Sequence, residues 1–155
     1  MGVSVEVRRQ GGVAGVFASK SFRPGDVVLR LDGRLTRHPS RYSIQVSEDE
    51  HLEPDDEASR GASVWRFLNH ACTPNLAVDV PNRVLFALRP IEDGDELTFD
   101  YDTTEWDMAE PFACRCGAAG CYGTVQGFRH LSPAQRQALF AAAAPHVRAL
   151  HWAGG

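Results

Sequence analysis

Cys114-x-Cys116-x4-Cys121 sets three soft sulfur donors on one short segment with Gly117 and Gly120 between them, and the fourth cysteine, Cys72, stands well upstream. Such clustering points to a metal site before it points to disulfides, and glycines let a chain fold round a tetrahedral ion. Three thiolates are one short of a closed site, so the remaining ligand is one of the six histidines, a water, or Cys72. Structural zinc prefers four protein ligands, which favours Cys72 and would tie the later segment back onto the domain. The bland reading is a set of free thiols, with Cys72 a small buried hydrophobe.

The elements that must position these residues are short. The 155 residues are 43% hydrophobic and 23% charged, an ordinary globular composition. A chain of this length buries enough surface to fold as one domain without disulfide staples. Sixteen Lys plus Arg against twenty Asp plus Glu give a net charge of -4, which argues against a direct nucleic-acid binder. Lys20 is the only lysine, no basic run resembles an import signal, and no apolar run nears the ~18 residues of a membrane span. An intracellular protein is expected, cytoplasmic or nuclear, where thiols stay reduced.

Val3, Val5 and Val7 alternate with polar residues as a half-buried strand, broken at Gly11 and Gly12. Val13–Ala18 is apolar, and Arg23-Pro24-Gly25-Asp26 turns into a strand at Val27. Further strands are predicted at 42–46, 76–80, 84–88 and 97–101, with the acidic stretch from Ser47 to Asp56 as a loop. Only the end reads as helix. Ser132 is its N-cap, Pro133 its first residue and Gln135 the partner of a capping box, and the run to Leu150 is open to interruption at Pro145.

Arg66-Phe67-Leu68-Asn69-His70-Ala71-Cys72-Thr73-Pro74-Asn75 resembles the diagnostic segment of SET-domain protein lysine methyltransferases, RF-x-NHSC-x-PN, with Ala71 in place of Ser. Gly94-Asp95-Glu96-Leu97-Thr98-Phe99-Asp100-Tyr101 resembles a second family segment, and Phe112 leading the cysteine cluster resembles the post-SET motif. Gly15-Val16-Phe17-Ala18 and Pro24-Gly25-Asp26 fit the family's opening more loosely. The resemblance runs over roughly residues 3 to 128 and implies a mainly β, β-clip SET fold of short strands with a pseudoknot, a post-SET zinc site and a C-terminal α-helix. It divides the chain into a SET domain over 1–109, a post-SET segment over 110–128 and a helical extension over 129–155, a compact stand-alone form.

Carried over by position, Val13, Ala14, Gly15, Tyr42, Arg66, Asn69, His70, Ala113 and Arg115 are expected to contact S-adenosyl-L-methionine (AdoMet). Tyr101 is implied as the catalytic tyrosine, orienting the amine, and Phe99 and Phe128 as walls of a substrate lysine channel. Cys72, Cys114, Cys116 and Cys121 are implied as ligands of one structural zinc ion. A Phe rather than a Tyr at position 99 leaves room for di- or trimethylation. The expected partner is a protein with an accessible lysine, a histone tail being one candidate.

Taken singly, each residue has a plain alternative: Asn69 a turn cap, His70 a satisfied core histidine, the aromatics core residues on strands. Two departures matter. Val13 stands where the family has a first glycine, and Leu31-Asp32-Gly33 lacks the tyrosine of a Y-x-G motif that hydrogen-bonds the substrate amine. The leading reading is an AdoMet-dependent protein lysine N-methyltransferase. The runner-up is a SET-fold zinc- and AdoMet-binding interaction module with little or no catalytic activity, and the blandest is a zinc-stabilised interaction domain that uses no cofactor.

Overall fold

The computed structural model describes residues 4–55 and 63–154. β1 (Val5–Gln10) and β2 (Val13–Ala18) form a hairpin through Gly11 and Gly12, with Val5 opposite Ala18 and Gln10 opposite Val13. The first-strand expectation therefore holds from Val5 on, while Val3 lies outside the described residues. β3 (Val27–Arg30), β4 (Arg34–Thr36), β5 (Ile44–Gln45) and β6 (His51–Glu53) follow. After a 3-10 turn at Val64–Phe67 come β7 (Asn69–His70), β8 (Leu76–Asp79), β9 (Val84–Ala87) and β10 (Glu96–Phe99). β11 (Phe112–Ala113) and β12 (Thr124–Val125) flank the cysteine loop, and α1 (Pro133–Leu139) and α2 (Pro145–Trp152) close the chain.

The strands form four small sheets, ordered β1-β2-β10-β7, β3-β9-β8, β4-β6-β5 and β11-β12. The first sheet matters most for function, because β10 lies antiparallel to β2 and parallel to β7. Parallel strands need a long connection between them, so the Asn-His segment and the Phe99 segment, far apart in sequence, become neighbours only through the intervening fold. Asn75 locks the arrangement: its Nδ2 donates to the Glu96 carbonyl at 2.9 Å and its Oδ1 accepts from the Thr98 N–H at 2.9 Å.

One core packs Val16, Ala18, Leu31, Leu85, Leu97 and Phe99 between these sheets. A second joins Val80 to Phe128, Leu131, Ala143, Ala144 and Val147, so the terminal helices are docked on the β domain. Each such Val, Leu or Phe contributes about 1.5–3 kcal/mol relative to leaving it in water. Trp65 fixes the start of the Asn-His segment, its buried ring donating Nε1–H to the Asp32 carbonyl at 3.0 Å.

Four sequence expectations change. The strand expected over 97–101 ends at Phe99, and Tyr101 opens a 3-10 turn over Tyr101–Thr103. The acidic stretch after Ser47 carries β6, because Leu52 points into the core and pairs the strand with both β4 and β5; residues 56–62 of that region lie outside the described part. The strand expected over 42–46 shrinks to Ile44–Gln45, leaving Tyr42 exposed at its entrance. The terminal helix is two helices. Ser132 and Gln135 make the capping box, a short 3-10 turn ends the first helix, and Pro145 opens the second at its first position.

Gly127 is the seam between the post-SET strand and the second core. Its φ is 114°, and a Cβ there would lie 2.5 Å from the Trp106 carbonyl oxygen and 2.8 Å from Asp107 Cα. Gly127→Ala combines a strained backbone with a clash against main chain, so a destabilisation of about 2–3 kcal/mol is expected. Thermal denaturation should show Tm lower by about 5–10 °C; an unchanged Tm would mean that this turn is not fixed as described.

Candidate active site and metal centre

The β11–β12 hairpin carries the cysteine loop, and the turn after β7 carries Cys72. The Sγ atoms of Cys72, Cys114, Cys116 and Cys121 all lie within 4.8 Å of one another, with 3.8 Å between those of Cys72 and Cys114. Zinc–sulfur bonds of about 2.3 Å in a tetrahedron place sulfurs about 3.8 Å apart, so the donor set fits a structural zinc ion with no open position. Main-chain N–H groups support the sulfurs: Tyr122 donates to Cys72 Sγ at 3.4 Å and Gly123 to Cys121 Sγ at 3.5 Å. All four cysteines are free of disulfides.

His70 joins this centre to the neighbouring strand. Its Nδ1 accepts the Tyr101 N–H at 3.0 Å, which places the ring proton on Nε2, 3.3 Å from Cys72 Sγ. Burial pushes the imidazole pKa down to about 4, so the ring is neutral at pH 7 and its approach to Asp100 is not an ion pair. Asn69 is held as firmly: its Nδ2 donates to the Ala14 carbonyl at 2.9 Å and to Glu96 Oε2 at 2.8 Å. A Cβ at Gly15 would sit 2.9 Å from Glu96 Oε2, so a side chain there would make the Glu96 carboxylate shift.

Beside this knot opens a cleft enclosing about 460 Å³, open solvent included, lined among others by Tyr42, Arg66, Leu68, Phe99, Tyr101 and Glu105. The Tyr101 hydroxyl donates a short hydrogen bond to the Leu68 carbonyl. Its ring lies 4.8 Å from that of Phe99 and 5.3 Å from that of His70. Burial first, then the charge of Glu105, drives the Tyr101 phenol pKa above its ordinary value, so it keeps its proton at neutral pH. At the mouth, the Arg66 guanidinium lies 4.5 Å over the Tyr42 ring, and its buried Nε has no partner among the described residues.

The chain around Tyr101 carries three buried carboxyl groups, Asp100, Asp102 and Glu105. Asp100 accepts from the Tyr122 hydroxyl at 2.7 Å, and Asp102 Oδ1 accepts from the Gly127 N–H at 3.0 Å. Burial pushes Asp100 up to about 6; burial and then the Asp100 charge push Asp102 up to about 7; burial pushes Glu105 up to about 7.

The expected site residues thus fall into groups. Tyr42, Arg66, Phe99 and Tyr101 line one cleft, with Asn69, His70, Ala14 and Gly15 packed beside it. Ala113 and Arg115 are exposed on either side of Cys114, and Val13 is 63% exposed at the start of β2. Phe128 departs from expectation. It is 0% exposed in the second core, stacked 6.0 Å from Trp106, and forms no part of the cleft wall. Leu31, which stands where the Y-x-G motif has its tyrosine, is 6% exposed in the main core and is not among the residues that line the cleft.

Residues 13–102 match the family model of the SET domain. The chain belongs to the SET-domain family. It is 30% identical over 131 residues to an H3 lysine-4 specific histone-lysine N-methyltransferase of Aspergillus oryzae, matching over 70% of this chain and 10% of that protein. It is 44% identical over 63 residues to methyltransferase flvH of Aspergillus flavus, matching over 39% of this chain and 35% of that one. The SET-domain chain therefore spans only a part of the curated relatives it matches. Among solved structures, KRYPTONITE in complex with mCHG DNA and SAH superposes with a TM-score of 0.62 at 27% identity, covering 78% of this chain and 28% of that one. Within this SET domain, sequence reasoning missed Glu96, which holds Asn69, and the buried carboxyls Asp102 and Glu105. Glu96 stood inside a quoted motif; the other two lie in a polar run that gave no signal of burial.

Proposed function

We propose that this SET domain is an AdoMet-dependent protein lysine N-methyltransferase, with one structural zinc ion held by Cys72, Cys114, Cys116 and Cys121. The observation that carries the reading is the meeting of Tyr101 and Phe99 with the Asn69-His70 segment at the head of one cleft. The names of relatives support a lysine substrate, and the SAH in KRYPTONITE supports AdoMet as the donor. By the same relatives, a histone H3 tail is the first substrate to try.

AdoMet supplies an electrophilic methyl group on a positive sulfonium. The residues here fit such a molecule. On this reading Arg66 would offer its unpartnered Nε–H to the carboxylate, Asn69 and His70 would fix the adjoining main chain, and the exposed Phe112, Ala113 and Arg115 would cover the base. The rest of the work is orientation and deprotonation. A free lysine has pKa near 10.4, so only roughly one in a thousand is neutral near pH 7.4. The apolar wall that Phe99 and Leu68 give the cleft beside Tyr101 disfavours the ammonium form. Since the Tyr101 proton is committed to the Leu68 carbonyl, its oxygen presents lone pairs, which accept an N–H from the amine and aim the nitrogen.

The test is transfer from labelled AdoMet to histones and a lysine peptide array, read by mass spectrometry. Phe99 is expected to allow products beyond monomethyl-lysine, because no hydroxyl at that position fills the space beside the amine. Monomethyl product alone would overturn that part. Tight AdoMet binding without transfer to any lysine would replace the enzyme by an interaction module.

A further inference from the structure

We propose that Glu105 is the catalytic carboxylate that receives the substrate ammonium in the cleft and takes its proton. The inference deepens the methyl-transfer reading and rests on it for the identity of the amine. Glu105 follows the 3-10 turn begun by Tyr101, and its N–H donates to the Tyr101 carbonyl at 2.9 Å, so it is fixed to the same piece of backbone as the catalytic tyrosine. It lines the cleft with Phe99, Tyr101 and Leu68, yet is only 9% exposed. Both hydrogen bonds that its side chain accepts from described residues end on one oxygen, Oε2: the Gln45 N–H at 2.9 Å and the Thr104 hydroxyl at 2.7 Å. Oε1 is left without one. A carboxylate with one oxygen anchored and the other free is oriented without being spent.

Chemistry makes this position informative. A buried anion with a spare lone pair is costly unless something cationic or a donor meets it. The incoming substrate on this reading is an ammonium ion that must lose one proton before its nitrogen can attack carbon. In the proposed step an N–H bond of the ammonium breaks, an O–H bond forms at Oε1, and a neutral amine and a neutral carboxylic acid result. Tyr101 is badly suited to that task, since its phenol is held protonated and its hydrogen points at Leu68. Burial brings the Glu105 carboxyl up to about 7, which leaves it largely ionised just above neutrality and basic enough to share a proton.

Burial raises the Glu105 carboxyl, and the hydrogen bonds from the Gln45 N–H and the Thr104 hydroxyl oppose that rise. Arg41, Arg66 and Glu110 share the cleft, Asp102 stands in the 3-10 turn just before Glu105 with its own carboxyl raised, and His146 of α2 reaches the Thr104 carbonyl at 2.7 Å. A purely structural role is the competing account. Glu105 and Gln45 form a reciprocal clamp, in which the Gln45 side chain accepts the Trp106 N–H at 2.9 Å. Glu105→Gln separates the two accounts, because an amide oxygen can still accept from Gln45 and Thr104 but cannot take a proton.

Two measurements test it. In cofactor-free protein, carboxyl carbon NMR should show a glutamate titrating near pH 7 that is missing in E105Q, and N-acetyl-lysine methylamide should lower that midpoint by at least 0.5 unit, since an ammonium favours the carboxylate. In the transfer assay, kcat/KM of the native protein should fall below an apparent pKa near 7, and E105Q should be slower by roughly a hundredfold with that limb gone. Glu105→Asp should keep the limb at reduced rate. An E105Q protein with native pH profile and a rate within threefold would overturn the proposal, as would a glutamate midpoint indifferent to the amine. A native protein that transfers no methyl group would sink the function itself, while the NMR midpoint would still decide whether Glu105 meets an ammonium.

Discussion

Tyr101→Phe is expected to lower kcat by about 10²–10³-fold, the range for removing one positioned polar group from a water-excluded site, with little change in AdoMet affinity. The ring would stay where it is, packed against Phe99 and His70, because those contacts do not involve the hydroxyl. What disappears is the oxygen that aims the amine. The hydroxyl also satisfies the Leu68 carbonyl, and leaving that acceptor unpaired costs about 1–3 kcal/mol. A Tm lower by about 3–6 °C should therefore accompany the rate loss. The two readouts keep the roles apart: a stability loss with kcat within tenfold of native would make Tyr101 a packing residue and remove it from the chemistry.

How much of this was legible in the sequence depended on whether a residue's role is local. The cysteine spacing announced a metal centre by itself, and zinc's preference for four protein ligands favoured Cys72 over a histidine or water, a choice the resemblance strengthened, since nothing in residues 73–113 says that the chain returns to it. Its sulfur now lies 3.8 Å from that of Cys114. Phe128 misled for the opposite reason. It follows the last cysteine closely and so reads as a wall of the lysine channel, but the positive-φ turn at Gly127 throws it inward, into the core with Val80 and Val147. β6 was hidden because His51 and Glu53 flank a single inward residue, Leu52, and three residues are too few for alternation to show. Asp102 and Glu105 were hidden because Asp-Thr-Thr-Glu has the composition of a surface turn. Their burial comes from helices and strands distant in sequence, including His146 of α2 on the Thr104 carbonyl.

The strongest structural effect is expected from taking the zinc away. The β11–β12 hairpin has only two residue pairs, and such a ribbon is at best marginally stable alone in water. Apolar burial holds it at one residue, Val125, which is fully buried, while Phe112 and Ala113 are exposed. The four sulfurs are what join this hairpin to the turn after β7, and structural zinc of this kind contributes on the order of 10 kcal/mol of apparent binding free energy at pH 7. Fresh protein should carry one zinc ion per chain, and Cys72→Ser should lower its zinc affinity at least about tenfold, because the tetrahedral set is then broken. On chelation, amide hydrogen exchange should lose protection at Phe112, Cys114 and Val125, while Phe128, Leu131 and Val147 stay protected by the second core. AdoMet binding should weaken together with the hairpin, because Ala113 and Arg115 flank a ligand. An unchanged ion count in Cys72→Ser would exclude the four-thiolate centre. Loss of protection throughout the second core would show instead that the metal supports the whole domain, and that the tail has no independent anchorage through Val80.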